Sequence, residues 1–268
     1  MALARPVDLD ALREAAEQAR PVALAGEQLL PVLDPLRPLL PEGGLRRGTT
    51  VTVEGAPGAT SLTLALGAAA SAAGSWAAAV GLPALGWLAA AELGVALERV
   101  VVVSPPPAAW ATVVAALLDA VDLVWAGLPP RLSAGDARRL VARARERGSV
   151  LVPLARPATG ASRRPVAGWP SPAPVCLAVA SPAWTGPAGA GAGRLLARRV
   201  EVVATGRGAA ARERRVALWL PGPDGGVAPA SHPGDTPPGD PPLVLCRLDH
   251  CSGGRSDKEG DGVGGCRR

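Results

Sequence analysis

The residues with the clearest bearing on chemistry lie in the run EGAPGATSLTLAL, residues 54–66. There a β-branched segment (TTVTVE, 49–54) meets a Gly-rich turn and a small-residue helix. Strand, glycine turn and helix in that order make a cradle for phosphate. Glycines let backbone N–H groups wrap the oxygens, and the helix N-terminus adds the positive end of its dipole. The complete motif, GxxxxGK[ST], adds a lysine for the terminal phosphates and a hydroxyl for Mg²⁺. With Gly55 as the first glycine, Thr60 stands at the second glycine, Ser61 at the lysine and Leu62 at the hydroxyl. No change of register restores the lysine, because Lys258 is the only one in the chain. The candidate nucleotide-contact residues are therefore Gly55, Gly58, Ala59, Thr60 and Ser61, in a degenerate loop. Two readings stay open: a structural turn without ligand, or weak nucleotide binding by the backbone alone. No other cofactor is expected.

The remaining catalytic positions are empty as well. A metal-binding aspartate should end a buried strand, but DLVWA (122–126) ends in Val124, Trp125 and Ala126, with Asp122 at its start. A water-activating glutamate should follow the second strand, where the chain reads GLPALG (81–86). Phosphoryl transfer relies on positioning and charge neutralisation. Without lysine, metal ligand or base, the chain is not expected to be an ATPase or any other enzyme.

A second set of residues is cationic. The net charge is +5 and the pI about 9.8, which permits an acidic partner such as nucleic acid. Arg194, Arg198, Arg207, Arg212 and Arg214, with Arg199 and Arg215, gather after a Gly-rich segment at 184–194. Arginine suits phosphate, and Trp184 offers one stacking surface beside that segment. The same arginines could merely solvate strand faces. Cys246, Cys251 and Cys266 share the last residues with His250, but their spacing fits no metal motif.

The elements that must position these residues alternate. Strands are read at 49–54, 75–80, 99–104, 122–126 and 149–154, and helices at 61–73, 84–94, 107–120 and 133–147. Ser133 and Asp136 start the last of these helices as a capping box. Near-continuous apolar strands in this rhythm predict an α/β fold, a mostly parallel sheet with helices on both faces. Strands at 175–181, 195–204 and 214–220 follow, the last two as an antiparallel pair. Three regions result: an N-terminal helix and Pro/Leu-rich lead-in (1–43), the core (44–221) and a disordered Pro/Gly-rich tail (222–268). Residues 55–91 carry no charge, a length sufficient to span a bilayer. Breaks at Gly74, Gly81, Pro83 and Gly86 favour a buried core instead, so no membrane partner is expected. Residues 1–20 hold charges without a continuous apolar run, which predicts a cytoplasmic protein.

The run LRPLLPEGGLRRGTTVTVEGAPGATSLTLAL (36–66) resembles the entry to a RecA-type core. There a Gly-Gly-Leu-x-x-Gly turn precedes the first strand, the phosphate loop and a Leu-rich helix. The runs at 80–103, 110–127, 136–152 and 194–225 resemble actinobacterial RecA-like accessory proteins of the ImuA/ImuA-prime type, so that the resemblance spans roughly residues 30–225. It implies a P-loop-type fold and a non-catalytic, protein-contact role in DNA-damage-induced (SOS) mutagenesis and translesion synthesis. The implied partners are a polymerase-like ImuB-type protein and an error-prone C-family DNA polymerase. The alternative is a DNA-binding RecA paralogue with weak or no ATPase activity. The contact residues offered for a partner or DNA are Arg194, Arg198, Arg207, Arg212 and Arg214, on a hairpin whose edge is expected to pair with another chain.

Overall fold

The computed structural model describes residues 28–55, 57–155, 169, 173–186 and 195–230. The expected N-terminal helix, residues 156–168, Arg194 and the tail beyond 230 lie outside these residues. The elements are β1 (Leu29–Leu30), β2 (Leu45–Arg46), β3 (Val51–Gly55), α1 (Ala59–Ala72), β4 (Ala77–Val80), α2 (Trp87–Glu92), β5 (Val100–Val103), α3 (Trp110–Ala120), β6 (Leu123–Gly127), α4 (Ala134–Arg147), β7 (Val150–Leu154), β8 (Val175–Thr185), β9 (Ala197–Gly206), β10 (Arg214–Trp219) and β11 (Ala228–Pro229).

Nine strands form one sheet in the order β11-β10-β9-β8-β3-β7-β6-β4-β5. The five strands from β3 to β7 are parallel, as the apolar runs of β4 to β7 predict. β8 also runs parallel to β3, and only β9, β10 and β11 turn antiparallel. The chain therefore builds outward from β3, returns to it through β7, and then extends the sheet on its other side.

The strand period of two sorts side chains onto two faces. Ala77 and Ala79, Leu123 and Trp125, and Val150 and Val152 share one core with α1 and α2. Ala78 and Val80, Val124 and Ala126, and Leu151 join the second core, with α3 and α4. Helix α1 lies so close to the sheet that a Cβ on Gly67 would collide with the Leu123 and Trp125 side chains. The described part of the Leu-rich lead-in packs into the first core, where Leu36, Leu39 and Leu45 are fully buried.

Local signals set the helix ends. Ser133 Oγ accepts from the Asp136 N–H at 2.9 Å and donates to its carboxylate at 2.6 Å, which starts α4. Gly148 closes it in the left-handed conformation, φ 67°. The helix expected at 84–94 shrinks to α2 after the turn through Gly81 and Pro83.

Two expectations are corrected. Residues 222–230 do not belong to a structureless tail. They form a turn closed by Gly222 N–H to Gly226 O at 2.8 Å, followed by β11, which pairs with β10. The β9–β10 hairpin does not present a free apolar edge either. Val200, Val202, Leu218 and Leu220 are buried in the first core, and β11 flanks β10. The long apolar edge of the sheet is β5, where Val102 is 50% exposed. None of the helices among the described residues is long and apolar enough to cross a membrane.

Candidate functional site

The Gly-rich turn lies where the sequence places it, at the C-terminal end of the central strand β3 and the start of α1. Gly58 is the N-cap of α1, with φ 126°, a conformation that favours glycine. A Cβ there would approach Val179 Cγ1 at 3.2 Å and Val200 Cγ1 and the Arg198 guanidinium carbon at 3.4 Å. Space is therefore limited on the side facing β8 and β9. Ala59 is buried, Ser61 is half-buried and Thr60 is exposed.

Strand length determines what covers the turn. β3 ends at Gly55, opposite Val179 of β8. β8 continues for six more residues, past a register shift between Ala180 and Ala183 that includes Ser181 at φ 48°. Such a bulge re-aims the strand beyond it. That extension carries Trp184 out past the end of β3. β9 runs back antiparallel and sets Arg198 directly opposite Trp184.

Arg198 is 7% exposed. Its Nε donates to Leu220 O at 2.8 Å and its Nη2 to Ser61 Oγ at 2.9 Å. Its guanidinium carbon lies 5.0 Å from the centre of the Trp184 ring, a cation–π distance. Burial pulls the Arg198 pKa below the ordinary arginine range, although a guanidinium stays charged in proteins. The hydroxyl at the lysine position of the loop thus meets a cation from a strand 137 positions later in the chain.

This geometry divides the arginine set. Arg198 lies at the loop end of β9, whereas Arg207, Arg212 and Arg214 lie around its other end, about 30 Å away at strand rise. Arg207 and Arg212 are exposed. Arg214 is half-buried and donates to the Arg212 and Ala209 carbonyls. Arg198 is therefore not part of a surface contact set: its burial in the sheet places it against the Gly-rich turn and the start of α1. The sequence carried a signal for this, because the period of two puts Arg198 on the same face as Val200 and Val202, the core face.

Two acids near the sheet ends have other partners. Asp122 occupies the opposite end of the sheet, where Oδ1 accepts from Arg47 Nη1 at 2.7 Å and Oδ2 from the Trp76 N–H at 3.0 Å. It ties the lead-in to the core. Glu54, just before the turn, accepts from the Cys176 thiol at 3.2 Å. Burial, followed by the Glu54 charge, pushes that thiol up to about 12. No group of acid, His and Cys side chains suited to a metal ion occurs among the described residues.

Residues 38–160 match the MT3502 N-terminal domain family. The chain is also 38% identical over 151 residues to the uncharacterized protein Rv3395c of Mycobacterium tuberculosis, an alignment covering 56% of this chain and 71% of that one. The chain belongs to this family. The MT3502 match holds β3, the loop and the parallel strands through β7. Arg198, which meets the loop, and Trp184, which stacks on Arg198, come from beyond it.

Proposed function

We propose that this MT3502-family protein is a non-catalytic RecA-type accessory protein of the ImuA/ImuA-prime kind, acting through protein contacts in damage-induced mutagenesis. Its partners would be an ImuB-type polymerase-like protein and an error-prone C-family DNA polymerase. The observation that carries the non-catalytic part is the loop itself. A serine stands at the lysine position and a leucine at the metal-ligand position, and β6 ends in Val124, Trp125, Ala126 and Gly127 without an acid. The RecA part is supported by a central β3 leading through the turn into α1, in a parallel sheet covered on both faces. The ImuA part is supported by the sequence resemblance, and the kinship with a mycobacterial protein is in keeping with it.

Two surfaces suit contact with a partner chain. Among the described residues no strand pairs with the outer edge of β5, four consecutive valines, which suits strand addition. Leu88 on α2 is 76% exposed. The DNA-binding alternative draws on Arg207 and Arg212, exposed around the β9–β10 turn.

The decisive experiment is recovery of the tagged chain from cells before and after DNA damage, with a deletion strain scored for damage-induced mutation. The proposal expects polymerase-like proteins to co-purify and the induced mutation frequency to fall. An unchanged frequency in the deletion strain would sink it. Binding to single-stranded DNA that falls steeply with salt and is lost in a charge-reversed Arg207/Arg212/Arg214 variant would favour the alternative.

A further inference from the structure

The end of the sheet opposite the Gly-rich turn is where β3 and β8 begin and β9 ends. A cavity of about 180 Å³ lies against these strand ends. Its floor is apolar: Leu40, Leu45, Val51, Val175 and Ala210 line it, and all five belong to the first core. Its rim is polar, with Glu42, Arg46, Thr49 and Arg207.

Fixed turns build both walls. On one side the Pro-Glu-Gly-Gly stretch of the lead-in folds back. The Gly43 N–H donates to Leu40 O at 3.2 Å, with Gly43 in the left-handed region at φ 70°. On the other side the Arg207 N–H donates to Pro174 O at 3.1 Å. The 3₁₀ turn Gly208–Ala210 follows, closed by the Ala210 N–H to Arg207 O at 3.1 Å. The chains approach so closely here that a Cβ on Gly206 would collide with the Pro174 carbonyl oxygen. The cavity is therefore preformed, as ligand pockets usually are.

The rim charges are unequal. Glu42 accepts from Arg46 Nη1 at 3.3 Å. Arg207 is exposed, and among the described residues its side chain has no hydrogen bond or ion pair. Arg212 and Arg214 stand in the same turn, and the acid between them, Glu213, pairs with Arg215. An apolar floor thus meets an excess of positive charge on one wall. A phosphodiester backbone would use the arginines and leave the floor in water. An apolar side chain alone would use the floor and leave Arg207 without a partner. In an extended internal segment, neighbouring side chains point to opposite faces, so an acid and an apolar group share a face only about 7 Å apart. A C-terminal residue holds its carboxylate beside its own side chain, within the span of one cavity.

We propose that this cavity captures the C-terminal residue of a partner protein chain, with a branched apolar side chain on the floor and its α-carboxylate on Arg207. Such capture rests on the protein-contact role proposed above, whichever partners take part.

The probe is acetyl-Gly-Gly-Leu with a free carboxylate, titrated into the full chain and followed by methyl NMR of Leu45, Val51, Val175 and Ala210. Saturable shifts at these methyls are expected. The same peptide with a C-terminal amide should bind about fivefold more weakly, and acetate, which has no side chain for the floor, should leave the methyls unmoved. Arg207→Gln is expected to bring the free acid down to the affinity of the amide. Ala209→Leu fills the mouth from the rim and is expected to abolish the response to both peptides. Both positions are exposed, so thermal unfolding midpoints should stay unchanged. The proposal is overturned by absent shifts, by equal affinities of acid and amide, or by an Arg207→Gln chain that still prefers the acid. Three other outcomes overturn it by naming a different occupant. A response to N-acetyl-leucine without one to the tripeptide assigns the cavity to a small molecule. Binding of an oligothymidylate that Arg207→Gln abolishes, without a response to the peptide, assigns the arginine to nucleic acid. A response that appears only on dilution gives the cavity to a second copy of the chain. Failure of the titration leaves the mutation frequency of the deletion strain unaffected, and an unchanged mutation frequency leaves the titration unaffected, so the two readings fail separately.

Discussion

The two sides of β3 are built by different rules. From β3 across to β5 the sheet is parallel and its interior is apolar. Val150 to Leu154 and Leu123 to Gly127 are buried at every position. From β8 across to β11 the outer strands run antiparallel, and buried positions alternate with accessible ones, as in the first six residues of β8. The first side supplies the loop and its helix, and the second supplies the charged side chain that reaches into the loop. The loop alone therefore does not reveal its surroundings: its charged neighbour comes from across β3.

The largest effect should come from the apolar side. Gly67→Val drives a side chain into Leu123 and Trp125 and is expected to lower the unfolding free energy by about 3 kcal/mol. Urea denaturation measures this, and a loss below about 1 kcal/mol would mean that α1 is less tightly seated than described. Asp122→Ala comes next. It strips the half-buried Arg47 of its partner and leaves the Trp76 N–H without an acceptor, for an expected loss of about 2 kcal/mol. Ser133→Ala removes the cap of α4 and should cost about 1 kcal/mol.

The other side gives the smallest change and one chemical test. Arg215→Ala should leave stability unchanged within the error of urea denaturation, since its pairs with Glu201 and Glu213 lie at the surface and are screened by solvent. Arg215 and Arg198 lie on neighbouring strands, so opposite outcomes at the two would separate a solvated arginine from one packed against the loop. Cys176 has its pKa raised, so the neutral thiol dominates below about 12. Its alkylation should stay slow at pH 9, where an ordinary thiol is largely thiolate. Peptide mapping after iodoacetamide treatment checks this, and rapid modification at Cys176 would contradict the assignment of its surroundings.

The parallel strands were legible because a strand buried on both faces reads as a continuous apolar run, as in Leu123–Gly127 and Val150–Leu154; Val100–Val103 reads the same way although it lies at the sheet edge. The Ser133 and Asp136 cap was legible because its partners lie three residues apart. The site was only half legible. The lost lysine at Ser61 is a local fact, but the arrival of Arg198 depends on strand order and on the bulge in β8, which no local pattern specifies. An arginine among several arginines reads as surface, although Val200 and Val202 mark its face. The ordered run at 222–230 was hidden by its Pro and Gly content, which here builds a turn with its own hydrogen bonds.

The separation of 137 positions from Ser61 to Arg198 also sets an order of events. A chain emerging from the ribosome presents β3, the glycine turn and α1 early, and the strands through β7 can enclose them. At that stage the helix start is bare. The guanidinium arrives only once β8 has passed its bulge and β9 has turned back beside it, with Leu220 of the next stretch holding it in place. The Gly58–Arg198 contact is among the last to close, and a chain that stops short of β9 carries the whole glycine turn with no charge in it.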